Sequence, residues 1–224
     1  MDYSDVLEEL ESLRSRESVE GMMRFGITPD HAYGVSLPDL RRIAKKAGKS
    51  HALAGRLWKK DARETRILAA MIDEPGKVTP DQVDSWASEF SYWEICDQCC
   101  MNLFWQTAFA YDKAVELSKR EEEYVRRAGF ALMAVLAWKD KKASDDEILV
   151  FLQYIKKGAV DERPMVKKAV NWALRQIGKR NKALNVKAVK VAEEILRLDS
   201  KSAKWIAKDA LKELEGDAVA RRLG

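Results

Sequence analysis

Four stretches decide the fold when they are laid in register: RETRILAAMI (63–72), YVRRAGFALMAV (124–135), MVKKAVNWALR (165–175) and KWIAKDALKEL (204–214). The register aligns Arg66, Arg127, Lys168 and Lys208, each a polar residue leading an apolar run. A fifth stretch, YWEICDQCCMNLF (92–104), joins the series with Asp97 in the same place. Apolar residues within each stretch recur at helical spacing, and alternation of the strand kind, with its hairpin turns, is absent along the chain.

Working outward, the same periodicity predicts helices over about 3–16, 18–25, 37–47, 50–59, 61–73, 80–90, 91–105, 108–119, 121–138, 145–157, 163–180, 184–198 and 201–215. The first buries Val6, Leu7, Leu10 and Leu13. Ser36 ahead of Pro38, Thr79 ahead of Pro80, and Ser144 ahead of Asp145, Asp146 and Glu147 are helix starts, because a hydroxyl caps orphan N–H groups and carboxylates suit a helix N-terminus. Between Gly26 and Pro38 the pattern loosens. Helix pairs repeating every 30 to 40 residues or so are the mark of HEAT-like arrays, in which neighbouring pairs bury one another's apolar faces. The expected fold is therefore all-α, an α-solenoid of HEAT-like antiparallel helix pairs forming a concave groove. No linker rich in Pro, Gly or Ser divides the chain, which predicts a single domain over residues 1–224.

Composition narrows the setting. The chain has 224 residues, of which 46% are hydrophobic, enough for a sizeable core without staples. Its three cysteines, Cys96, Cys99 and Cys100, crowd into little more than one helical turn, which is no disulfide framework and points to a reducing, cytoplasmic setting. The N-terminus enters an acidic amphipathic pattern with no secretory layout, and every long apolar stretch is interrupted by charge, so no membrane association is expected. Forty Lys and Arg against thirty-six Asp and Glu give a net charge of +4, too mild to establish a polyanionic partner by itself.

Three places can carry chemistry. In SYWEICDQCC, Trp93 and Asp97 stand four residues apart and project from one helix face, with Asp97 in apolar and aromatic company. Asp97 is either a structural carboxylate satisfied by the next helix pair or a functional one. In MVKKAVNWALRQIGK, Lys168, Trp172, Arg175 and Lys179 share a face, three cations around a large ring. Such a face either grips a phosphate backbone and packs a ring on a sugar or base, or is a solvated face with Trp172 tucked sideways. Arg127, by its repeat position, is expected to face the same groove as Asp97, either clamping a phosphate or simply pairing with Asp97.

Other chemistry falls away. Cys96 and Cys99 make one CxxC inside a helix pattern with no second pair, and His31 and His51 are distant, so no metal site is expected. There is no phosphate-cradling glycine loop, no HExxH and no Ser-His-Asp set, and no cofactor is expected.

Taken together, RFGITPDHAYGVSLPDLRRIAKKAG, SYWEICDQCC, YVRRAGFAL and VKKAVNWALRQIGK, in that order, resemble the AlkD-like DNA alkylation repair proteins from about Met22 to Arg180. The resemblance implies a HEAT-like solenoid that holds duplex DNA on a basic concave surface and acts, as a monomer, as a DNA glycosylase on N3- and N7-alkylated purines. It implies that Trp93 and Asp97 are the catalytic pair of a W-x-x-x-D pattern, that Arg127 is the active-site Arg, and that Trp172 and Arg175 are the second groove Trp and its following Arg. Lys168, Lys179, Arg66 and Lys208 complete the expected DNA-binding set. Two positions depart from the family pattern: Glu94 stands where Asp is common, and Phe25 where some members carry Tyr. A non-catalytic solenoid binding DNA or a protein through the same groove is the alternative.

Overall fold

Most helices begin where a short polar side chain can accept the first free N–H groups. Asp2, Ser15, Ser36, Ser50, Thr79, Ser144, Asn181 and Ser200 each cap a helix in this way, and Ser144 with Glu147 forms a reciprocal capping box. In the computed structural model, which describes residues 1–224, the helices are α1 (Tyr3–Ser12), α2 (Arg16–Met23), α3 (Leu37–Ala47), α4 (His51–Trp58), α5 (Arg63–Ile72), α6 (Pro80–Ser88) and α7 (Trp93–Asn102). They continue as α8 (Ala110–Leu117), α9 (Glu123–Lys139), α10 (Asp145–Gly158), α11 (Pro164–Gly178), α12 (Lys182–Leu196), α13 (Lys201–Leu214) and α14 (Asp217–Leu223). Two short 3-10 turns, Pro75–Lys77 and Phe104–Gln106, complete the structure, and no helix is long and apolar enough to cross a membrane.

The starts expected at Ser36, Thr79 and Ser144 are those observed. Helix α1 stops four residues early because Ser15 turns extended and caps α2, and it fully buries Val6 and Leu10 while Leu7 and Leu13 are only half-buried. Helix α14 and both 3-10 turns were not expected.

The chain forms two compact units, Met1–Ala108 and Phe109–Gly224. In the first, α3 and α4 pack on α5, α5 packs on α7, and α1 closes over α3 and α4. Its aromatic centre is Trp58 stacked on Trp86 at 4.0 Å, with Phe90 set edge-on to Trp58 at 6.3 Å.

In the second unit α8 pairs with α9, α10 with α11, and α12 with α13, while α9 to α11 and α11 to α13 contacts stack the pairs. Helix α9 is its spine: every residue from Arg127 to Ala137 is buried. The α8–α9 crossing is so close that a Cβ on Gly129 would lie 2.2 Å from the Ser118 backbone nitrogen, so only glycine fits. The sequence register thus has a spatial meaning in each unit. Arg66 and Asp97 lie on the packed helices α5 and α7, and Arg127, Lys168 and Lys208 on the stacked series α9, α11 and α13.

Candidate functional site

Helix α7 begins at Trp93 behind Tyr92, whose extended backbone and buried ring leave no side-chain cap. Its apolar face, Ile95, Cys96, Cys99, Cys100 and Leu103, is completely enclosed. The three cysteines are unoxidised, and burial next to Cys96 pushes the Cys99 thiol well above its ordinary range. These thiols are core, and no group of three or more His, Cys, Asp or Glu is placed to hold a metal ion.

Three polar residues of α7, Glu94, Asp97 and Gln98, are buried as well. Asp97 is 7% exposed and Glu94 5%. Trp93, one turn before Asp97, is half-buried and donates its indole N–H to the Phe25 carbonyl at 2.8 Å. The carboxylate and the ring of the W-x-x-x-D pattern therefore sit on one helix turn.

The first turn of α7 is held from α5. Arg63 grips Glu94 with both prongs of its fork, Nε to Oε2 and Nη2 to Oε1, each at 2.7 Å. Its Nη1 reaches Glu64 Oε1 at 2.9 Å and the Val35 carbonyl at 3.0 Å. Burial alone would depress the Arg63 pKa, but Glu94 and Glu64 outweigh it and raise the pKa. Glu64 in turn accepts the backbone N–H groups of Tyr33, Gly34 and Val35 at 2.8, 2.9 and 3.1 Å. The loosely patterned stretch before α3 is thus shaped around one buried carboxylate. Gly34 is obligatory there, since its φ is +82° and a Cβ would meet the Ser15 carbonyl oxygen at 2.1 Å.

Arg63, Glu64 and Glu94 did not emerge as site residues from the sequence. One signal was available: Arg63 and Glu94 occupy the same place in successive repeats, 31 residues apart, with opposite charges.

The remaining expected residues fall into distinct environments. Arg66 is enclosed in the first unit, ion-paired to Glu89 at 2.6 Å and to Asp61 at 2.9 Å, with its guanidinium 4.9 Å over the Trp58 ring. Lys168 and Lys208, its counterparts on α11 and α13, are exposed. Arg127 is 6% exposed, and its Nη1 donates to the Met165 carbonyl at 2.6 Å in the first turn of α11. Trp172 is half-buried on α11. Arg175 contacts both Asp209, at 2.9 Å, and Glu213, while Lys179 pairs with Glu213 at 2.7 Å. Asn171 adds an amide donor to Asp209 at 2.6 Å. Two of the three cations around Trp172 are therefore already matched by carboxylates on α13, a match the cation stripe alone did not reveal.

A helical-repeat fold with an enclosed Trp–Asp turn and a cation-rich second unit defines a class, the HEAT-like helical proteins. Residues 6–214 match the model of the DNA alkylation repair enzymes, and the chain belongs to that family. The backbone is similar to a solved structure from a family related to the HEAT-like repeat DNA glycosylases, described as having affinity for branched DNA structures. The TM-score is 0.77 at 22% identity, over 93% of this chain and 94% of that one. A designed armadillo repeat protein in complex with a (KR)4 peptide is more remote, with 14% identity, 82% and 78% coverage and a TM-score of 0.43. Among curated proteins none matches the chain.

Proposed function

We propose that this protein is a DNA glycosylase that releases positively charged N3- or N7-alkylated purines from duplex DNA, acting as a monomer. The observation that carries the reading is the enclosed carboxylate of Asp97 one turn from Trp93, in a member of the DNA alkylation repair family.

The chemistry suits a single carboxylate. An alkylated N3 or N7 purine already bears a positive charge, so the bond between C1′ and the base nitrogen can break with its electron pair going to the base, which departs neutral. No strong general acid is needed. Positive charge then develops on the deoxyribose, where Asp97 stabilises it and orients a water whose oxygen bonds to C1′ and whose proton passes to solvent. The electron-rich face of Trp93, on the same helix turn, favours a cationic sugar. Lys168, exposed on α11, acts on the DNA phosphates and helps to set register. The test is base release from duplex containing 7-methylguanine, with Asp97→Asn as the decisive variant.

A second reading is favoured by one observation, the pairing of Arg175 and Lys179 with Asp209 and Glu213, which lowers the free charge beside Trp172. It is a solenoid that binds DNA, including branched DNA, without cleaving a glycosidic bond. It predicts salt-sensitive binding with no base release.

A further inference from the structure

The positive charge of the chain is concentrated at one end. Residues 164–224 carry fifteen Lys and Arg against seven Asp and Glu, a net charge of +8, while the whole chain carries only +4. On α13, Lys201, Lys204, Trp205, Lys208 and Lys212 fall within a stripe roughly 100° wide and about 17 Å long. All five side chains are exposed.

The acidic residues nearby face away or are already engaged. Asp209 and Glu213 are taken up by Asn171, Arg175 and Lys179 of α11. Glu162 accepts from the Ser200 hydroxyl at 2.7 Å and the Ser202 N–H at 3.1 Å, at the start of the same helix. The fully exposed Asp199 lies 3.4 Å from Lys204 at one end of the stripe, and Glu215 follows Lys212 at the other. The lysine face is therefore left with a strong net positive field.

In the middle of that field stands Trp205, 42% exposed, with the Lys167 ammonium 5.1 Å from its ring centroid. The open part of the indole offers an aromatic face among cations. Lysines at helical spacing match a row of phosphates, and a ring between them matches a base whose face is uncovered. Bases inside an intact duplex are stacked and offer no such face, whereas an unpaired strand at a fork or gap does.

We propose that the α13 stripe binds an unpaired DNA strand, Lys201, Lys204 and Lys208 contacting successive phosphates and Trp205 stacking on an exposed base. The inference rests on the reading of this protein as a DNA binder and adds a second strand-binding surface, distinct from the reactive turn of α7.

Fluorescence anisotropy on two labelled probes tests it: a blunt duplex, and the same duplex with a single-stranded oligothymidine arm. The forked probe is expected to bind more tightly, and Trp205→Ala to weaken fork binding by about tenfold with duplex binding unchanged. Trp205→Phe restores most of the loss. The triple variant Lys201→Ser/Lys204→Ser/Lys208→Ser lowers the dependence of fork affinity on log salt by about 2, from three contacts at roughly 0.7 each. Melting temperatures report that these surface variants remain folded. If the wild type binds both probes and Trp205→Ala binds the fork as well as the wild type does, the stripe assignment falls and the DNA reading survives. If the wild type binds neither probe at low salt, both fall together.

Discussion

Arg63→Met tests whether the buried triad fixes the turn that carries Trp93 and Asp97. Arg63 is 4% exposed, and the side chains of Glu64 and Glu94 are 0% and 6% exposed. Without the guanidinium, Glu64 keeps its three backbone N–H donors, but Glu94 loses both of its charged contacts in a place closed to water. Removing one partner of a buried pair costs about 3–5 kcal/mol, because the other charge remains unmatched. At about 2–4 °C per kcal/mol for a chain of this size, the melting temperature falls by about 6–20 °C. Replacing both ends, Arg63→Met with Glu94→Leu, removes the stranded charge and recovers most of the loss. Circular-dichroism melts of the two single variants and the double variant measure the coupling. A single variant that melts with the wild type, or a double variant as damaged as Arg63→Met, would refute the reasoning.

Gly129→Ala forces a methyl group against the Ser118 backbone at the α8–α9 crossing. A loss of about 3 kcal/mol or more is expected in chemical denaturation, since neither backbone can yield as a flexible side chain would. Asp209→Asn with Glu213→Gln releases Arg175 and Lys179 from their carboxylates, and duplex affinity at low salt should rise several-fold, with a salt slope steeper by about 1–2. Asp209 also sets an acid limit. Asn171 and then Arg175 hold the Asp209 carboxyl below its ordinary range, so its contribution to stability is present above the unfolded value of about 3.9 and is lost as pH falls through the lowered native one. Thermal melts between pH 7 and pH 3 should therefore show a smaller acid loss for Asp209→Asn than for the wild type.

Much of the architecture is written locally. Ser36, Thr79 and Ser144 announce their helices through chemistry within four residues, and the apolar runs behind Arg66, Arg127, Lys168 and Lys208 repeat strongly enough to align by eye. Helix α14 escapes notice because seven residues after Gly216 are too few to display a period. The stretch between α2 and α3 is opaque for another reason: Tyr33, Gly34 and Val35 take their shape from Glu64, some thirty residues away, and nothing in their own composition says so. Site chemistry divides along the same line. Trp93 and Asp97 are visible as a pair because one helix turn relates them. Arg175 and Lys179 look like free cations until α13 brings Asp209 and Glu213 against them, and Arg66 looks like its exposed counterparts Lys168 and Lys208 until Glu89 and Asp61 close around it.

The central claim is that the enclosed carboxylate on α7 assists departure of a cationic base. The direct measurement is release of 7-methylguanine from duplex DNA by the wild type and by Asp97→Asn under single-turnover conditions, with melting curves showing both proteins folded. The account predicts release by the wild type and a rate lower by about a hundredfold or more in the variant. Equal rates in the two proteins, or no release by a folded wild type that still binds the duplex, would contradict it.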